Sequence, residues 1–260
     1  MAPETFRTLR VDREGAAMRI TLDRPRVLNA LSPDLLVELA TVLEAAAAPE
    51  VRAVLLTGEG RGFSAGADLA GTPVSADIEA LLERTYHPVV RALAELPKPV
   101  IAGVNGVAAG AGMSLALACD VRLLSSEARF AIGFTGIGLV MDASCSYWLP
   151  RLVGSGRAFE LVYSGRRVDA EEAVRLGLGE RVLPAEGFAE ACWAEVKALA
   201  QGPTRAFGLA KRELRASLRN DLEAQLALEA EMQGLAAASN DVREGLAAFR
   251  EKRRPRFEGN

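Results

Sequence analysis

Histidine is almost missing from this 260-residue sequence: a single one, His87, stands among 34 acidic and 31 basic residues. A Ser-His-Asp hydrolase would have to build its triad on that one imidazole, and its setting in the helical stretch ERTYHPVV reads as an ordinary helix position. Cysteine is scarce as well. Cys119, Cys145 and Cys192 cannot all pair within one chain, and their wide spacing fits neither a zinc site nor a redox pair. A reducing cytoplasm is the expected compartment. A basic excess is lacking, since the formal net charge is -3, which argues against a general nucleic-acid binder. The opening residues MAPETFRTLRVDREG are polar and charged, with no apolar h-region and no small-residue cleavage site, so no export signal is expected. Internal repeats, low-complexity linkers and a phosphate-binding P-loop are also lacking.

Half of the residues are apolar, enough for one large core with a small appendage. Residues 100–119 form a run of twenty without a charge, long enough to pass a crude test for a membrane span. Four glycines and Asn105 interrupt it, and it reads better as strand, turn and buried helix. No membrane partner is expected. The first thirty residues alternate as a hairpin of two strands that turns at Arg-Glu-Gly, and Pro25 ends the second strand. Ser32, with Pro33 after it, should cap a helix that stops before Pro49. VRAVLLTG then reads as a strand covered on both faces. A helix near 78–96, a strand at 100–104, a helix at 113–119 and a strand at 121–124 continue the alternation. The fold class that follows is α/β, built of parallel β-α-β units with right-handed crossovers. Beyond Asp142 the pattern is mostly helical, including SGRAFELVYSG, DAEEAVRLG and one long stretch at 222–250. The tail EKRRPRF reads as a solvated charge run.

Two glycine-rich segments follow apolar strands: GRGFSAGADL at 60–69 and GVAAGAGMSLALACD at 106–120. In a parallel sheet ligands gather at the carboxyl ends of strands, which puts both segments on the binding side. Small residues let backbone N–H groups approach a ligand, and a helix N-terminus adds donors without intrahelical partners. Such a pair suits chemistry in which negative charge develops on a thioester carbonyl, where each donor contributes roughly 3 kcal/mol. Tight helix–sheet packing also favours Gly and Ala, and the segments alone leave both readings open. A dinucleotide site is the competitor. Gly110-Ala-Gly112 begins like its fingerprint, but Leu115 stands where the third glycine belongs and the segment falls too late in the chain.

Five motifs in order, LDRPRVLNAL, FSAGADL, KPVIAGVNGVAAGAG, ALACDVRL and WLPRLVGSGRA, resemble the crotonase superfamily, the enoyl-CoA hydratase/isomerase family, over essentially the whole length. The resemblance implies a crotonase-like α/β core over residues 1–200. It also implies a helical C-terminal region over 201–260 that packs between subunits of a homo-oligomer, a trimer or dimer of trimers. It implies an acyl-CoA substrate and no metal or redox cofactor, coenzyme A entering as part of the substrate. Carried over by position, the oxyanion donors would be the N–H groups of Ala67 and Ala111. Coenzyme A would run along Arg26, Leu28, Ala65 and Asp68, and further substrate contacts would come from Gly66, Leu69, Gly110, Ser114 and Phe134.

The departures carry more information. Where hydratases of this family have two glutamates, this chain has Ser114 and Phe134, so ordinary hydration, which needs a base for water and a donor for the α-carbon, should be very weak. Asp142, in GIGLVMDASCSYWLPRL, stands where isomerases acting on ring-epoxidised phenylacetyl-CoA and related enoyl-CoA isomerases have an aspartate. One carboxylate suffices to take a proton from one carbon and return it to another. An N-cap on the helix that follows is the alternative role of Asp142, worth about 1 kcal/mol. Backbone donors would then lower its pKa, whereas burial among Phe134, Ile137 and Leu139 would raise it. Glu127, Glu79 and Glu83 are lesser acidic candidates, and Trp148 and Phe134 could line an acyl pocket or simply be core. The expected function is an acyl-CoA isomerase, with a hydratase using another acid, or a non-catalytic CoA-ester-binding subunit, as alternatives. Residues 70–82 are expected to close the acyl pocket.

Overall fold

The computed structural model describes residues 6–71 and 77–260. Residues 1–5 of the polar opening segment, and 72–76 of the expected pocket closure, lie outside the described residues. Alternating apolar residues make the opening hairpin, in which β1 (Leu9–Glu14) pairs antiparallel with β2 (Ala17–Leu22) around Gly15 at positive φ. Ser32 caps α1 (Pro33–Ala45): its Oγ accepts from the Leu35 N–H at 3.3 Å, and Pro33 fills the first turn, where no intrahelical donor is needed.

From there the chain winds in successive turns. Each turn lays one longer strand, breaks sharply, lays one short strand and, in the first two, returns through helix. The first runs β3 (Ala53–Gly58), β4 (Gly62–Ser64), α2 (Ile78–Leu81), a π-helical turn at Leu82–Tyr86 and α3 (His87–Glu95). The second runs β5 (Val100–Val104), β6 (Val107–Ala109) and α4 (Ala111–Ala118), and the third begins with β7 (Val121–Ser125) and β8 (Arg129–Ala131). The longer strands join the hairpin in a sheet of order β1-β2-β3-β5-β7, parallel from β2 onward. The sheet is completed by β10 (Arg181–Leu183). The short strands form a second sheet, β4-β6-β8, edged by antiparallel β9 (Arg167–Asp169). The sequence pattern anticipates one sheet only, because strands of three residues are too short for alternation to show.

Side chains fix the corner between β3 and β4. Asn29, fully buried, donates through Nδ2 to the carbonyls of Glu59 (3.0 Å) and Gly62 (2.7 Å) and accepts from the Arg24 N–H at 2.9 Å. Asn105 donates to Gly60 O at 2.8 Å and accepts from Gly58 N at 3.2 Å. The corners nest so closely that a Cβ on Gly106 would stand 2.2 Å from the Arg61 carbonyl oxygen. Leu28 and Asn29 both sit in the left-handed region, at φ 51° and 56°. Asn tolerates this region, but for Leu28 it costs on the order of 1 kcal/mol and needs an anchor beside it. Replacing Asn29 with alanine therefore removes three hydrogen bonds from a buried position. Urea unfolding should show a loss of about 3 kcal/mol, and wild-type stability in that variant would contradict this account of the corner.

The main core lies between the first sheet and α1, α3 and α4, with Leu35, Leu39, Val54, Leu56, Val89, Leu93 and Leu115 all buried. The opposite face of the sheet is covered by α8 (Phe188–Leu199), where Phe188, Cys192 and Val196 meet Leu55, Ile101 and Leu123. This explains the nearly all-apolar central strands, and the uncharged run at 100–119 resolves into β5, β6 and a helix that is buried throughout. None of the described helices is long and apolar enough to cross a membrane.

The rest is helical: α5 (Cys145–Val153), α6 (Ser155–Ser164), α7 (Ala170–Leu176), α9 (Thr204–Ala216), α10 (Leu222–Ala237) and α11 (Asn240–Glu251). The long helix expected at 222–250 is two helices, because the Ser239 hydroxyl caps α11 by accepting from Val242 N. The charge run is solvated as expected, residues 251–256 being exposed, but the residues that follow it are anchored. Buried Asp241, in the first turn of α11, accepts from the Glu258 and Gly259 N–H groups at 2.7 and 2.9 Å, and Arg52 donates to Phe257 O.

Candidate functional site

The two glycine-rich segments meet. Gly66, at φ 92°, lies so close to the second segment that a Cβ there would stand 2.7 Å from Ala109 O and 3.4 Å from Ala111 N. The direction of the Ala67 N–H follows from its neighbours. Leu31 N donates to Gly66 O at 2.7 Å and Asp68 N donates to Leu31 O at 3.1 Å, a single parallel bridge. In extended backbone the groups of one residue point opposite to those of its flanking peptides, so the Ala67 N–H is turned away from Leu31. The Ala111 N–H is the first of α4, and first-turn donors have no intrahelical partner. Gly110 precedes it at φ 52°, ψ -127°, a conformation that a side chain would strain. Among the described residues neither amide has a hydrogen-bond partner.

Ala67 and Asp142 line one cavity of about 190 Å³, walled by Leu31, Leu82, Leu139 and Met141 among others. A dry apolar cavity of roughly 150 Å³ accepts benzene, so a single six-membered ring fits. Asp142 does not cap a helix. The N-cap of α5 is Ser144, and Asp142 contributes only its main-chain carbonyl, which accepts from Cys145 N at 2.9 Å. Its Oδ1 is buried without a partner among the described residues, and burial pushes the carboxyl up to about 6. The residues after it, Ala143 (φ 46°) and Ser144 (φ 71°), are both left-handed without being glycine, a strained turn of the kind kept at functional sites. Of the residues expected to bury Asp142, Phe134 is itself buried and Ile137 is exposed.

Ser114 is not brought into the cavity as a substrate contact. It is fully buried, and its hydroxyl lies 3.1 Å from the Asp142 carbonyl and 3.3 Å from that of Gly110. It holds the Asp142 carbonyl beside the first turn of α4. Phe134 is buried with its ring tip 3.9 Å from where a Cβ on Gly110 would be, beside that donor. Leu28 and Ala65 meet through the Ala65 N–H to Leu28 O bond of 2.8 Å, and Arg26 is exposed next to them. Leu69 lines the cavity and is half exposed. The Asp68 carboxylate is taken up by Arg24 at 2.8 Å and Gly71 N at 2.9 Å, which hold its pKa down.

The other candidates fall elsewhere. Glu79 and Glu83 are exposed, while Ile78, Leu82 and Tyr86 of the same segment face the cavity. Glu127 belongs to a separate cleft with Arg10 and Arg61. Trp148 lies under Arg215 of α9, whose guanidinium is 4.1 Å from its ring, and so belongs to helix packing. His87 opens α3 as an ordinary helix residue, and all three cysteines are free and buried. No group of potential metal ligands occurs among the described residues. Tyr86, which the sequence pattern does not single out, reaches the cavity through the π-helical turn.

If Asp142 works as a base, it must be ionised. kcat/KM should then fall as pH drops through about 6, and a pH–rate profile with its acid limb near 4 would contradict this.

The family described as Enoyl-CoA hydratase/isomerase matches residues 12–260. A probable enoyl-CoA hydratase of Rhodobacter capsulatus is 45% identical over 257 residues, 98% of this chain and 99% of that protein. The 1,2-epoxyphenylacetyl-CoA isomerase of Escherichia coli K12 is 40% identical over 252 residues, 95% of this chain and 96% of that protein. The crystal structure of an enoyl-CoA hydratase from Bacillus anthracis superposes with a TM-score of 0.92 at 35% identity, covering 98% of this chain and all of the other.

Proposed function

Because this chain belongs to the enoyl-CoA hydratase/isomerase family, we propose that it is an acyl-CoA isomerase in which the Ala67 and Ala111 N–H groups hold the thioester carbonyl and Asp142 moves a proton. The observation that carries this reading is that Asp142 is the one carboxyl group lining the cavity, among the described residues, that is not ion-paired. Ionised Asp142 takes a proton from the carbon next to the thioester, and the electron pair left behind moves onto the carbonyl oxygen between the two amides. As the charge returns to carbon the same carboxyl gives the proton back at another position, so the double bond shifts and nothing is gained or lost. A carboxyl near 6 suits both halves of that cycle at neutral pH.

The acyl group in this reading is the ring epoxide of phenylacetyl-CoA or a 3-enoyl chain, with coenzyme A along Arg26, Leu28 and Ala65 and no metal or redox cofactor. Residues 201–260 serve the assembly of a trimer or hexamer. In support, α10 buries only Met232 within its own chain and leaves Leu222, Leu226 and Leu235 exposed.

Incubation with 1,2-epoxyphenylacetyl-CoA and with a cis-3-enoyl-CoA, followed by product analysis, tests the reading. At least one should be isomerised, while crotonyl-CoA keeps its conjugated-enoyl absorbance. The name of the Rhodobacter relative favours hydration instead. Rapid loss of the crotonyl-CoA absorbance would establish that and overturn the isomerase.

A further inference from the structure

One polar group at the cavity has no part in the proton transfer. Tyr86 closes the π-helical turn Leu82–Tyr86, in which the Thr85 hydroxyl donates to the Leu81 carbonyl at 2.6 Å. Such single π-turns within helices are found frequently at functional sites. Here the turn carries a phenol into a mostly apolar wall, and Tyr86 is buried.

Its hydrogen bonding is poor for a buried hydroxyl. The phenol oxygen lies 3.4 Å from the Leu31 carbonyl, which already accepts from Asp68 N at 3.1 Å. O–H···O bonds cluster at roughly 2.7–2.8 Å, so the phenol proton is loosely held. The other polar side chains of the wall are Asp68, committed to Arg24 and Gly71, and Asp142. Tyr86 is thus the one uncommitted neutral donor among the described side chains that line the cavity.

We propose that Tyr86 donates this proton to an oxygen carried on the acyl group, so that the cavity selects acyl-CoA esters bearing an epoxide, hydroxyl or carbonyl oxygen remote from the thioester over plain hydrocarbon chains. The inference rests on the reading that the acyl group of a CoA ester enters this cavity, and it narrows the substrate class within that reading. Burial, with the nearby carboxylates of Asp142 and Asp68, pushes the phenol pKa well up, so the group stays protonated and acts as a donor.

Calorimetric titration of the wild type and of Tyr86→Phe with phenylacetyl-CoA and with its 2- and 3-hydroxy derivatives tests this without requiring turnover. The wild type should bind at least one hydroxylated ester about 10-fold more tightly than the plain one, the worth of one neutral hydrogen bond. Tyr86→Phe should erase that preference while binding phenylacetyl-CoA within about threefold of the wild type. Because the readout is a ratio within one protein, a moderate loss of stability in the variant cancels. A preference that survives in Tyr86→Phe, or none in the wild type, overturns the proposal. A wild type that binds none of the three esters removes the CoA-ester reading beneath it.

Discussion

Asp142→Asn is expected to lower kcat for isomerisation about 10³-fold, the usual scale for loss of a positioned general base, while CoA-ester affinity stays within about threefold. The asparagine is isosteric, so the cavity and the strained turn at Ala143 and Ser144 are kept. Stability should move the other way. Folding raises this carboxyl from its ordinary value near 4 to about 6. Between those values the folded chain binds more protons than the unfolded one, so stability falls as pH rises through that window. The variant has no such group. It should melt higher than the wild type at pH 7.5, and the gap should narrow toward pH 4.5. An equal or lower melting temperature at pH 7.5, together with full activity, would show a solvated and idle carboxylate.

The second large effect is expected at a residue with no side chain. Gly66→Ala places a methyl group 2.7 Å from the Ala109 carbonyl and 3.4 Å from the Ala111 nitrogen, on a backbone at φ 92°. The backbone must give, and it gives between the peptides that carry the Ala67 and Ala111 N–H groups, the proposed oxyanion donors. Loss of one oxyanion donor typically costs about 10² to 10³-fold in kcat, and kcat for Gly66→Ala should fall by that much even where the protein still folds. Gly136→Ala, a substitution that meets nothing within 4 Å, is the control and should leave turnover unchanged. Normal turnover in Gly66→Ala would mean that the Gly66 corner does not align the donors.

Much of this architecture is legible in the residues themselves. The hairpin, the Ser32 cap and the apolar strands 53–58 and 100–104 announce themselves by alternation, caps and runs, because local chemistry decides them. The second sheet does not, since Gly62–Ser64, Val107–Ala109 and Arg129–Ala131 are each three residues long and are held by partners distant in sequence. The two loops of small residues point to the donors, yet that Gly66 touches Ala109 is a fact of winding and not of local pattern. Asp142 precedes an apolar helical run just as a cap would. Only the fold shows that Ser144 starts the helix at positive φ and that Asp142 Oδ1 is left without a partner among the described residues. Tyr86 escapes notice because a π-helical turn of five residues has no sequence period of its own. Ser114 can be read as a missing glutamate, but its bond to the Asp142 carbonyl cannot be inferred before the segments meet.

The central claim is that amides 67 and 111 stabilise charge on a thioester oxygen while Asp142 exchanges a proton with the neighbouring carbon. Deuterium uptake at C2 of phenylacetyl-CoA in D2O, followed by proton NMR, measures that step without any need to know the natural acyl group. The wild type should exchange C2 protons far faster than buffer does, and Asp142→Asn and Gly66→Ala should each lose most of that acceleration. Exchange in Asp142→Asn at the wild-type rate, or none above buffer in the wild type, would contradict the account.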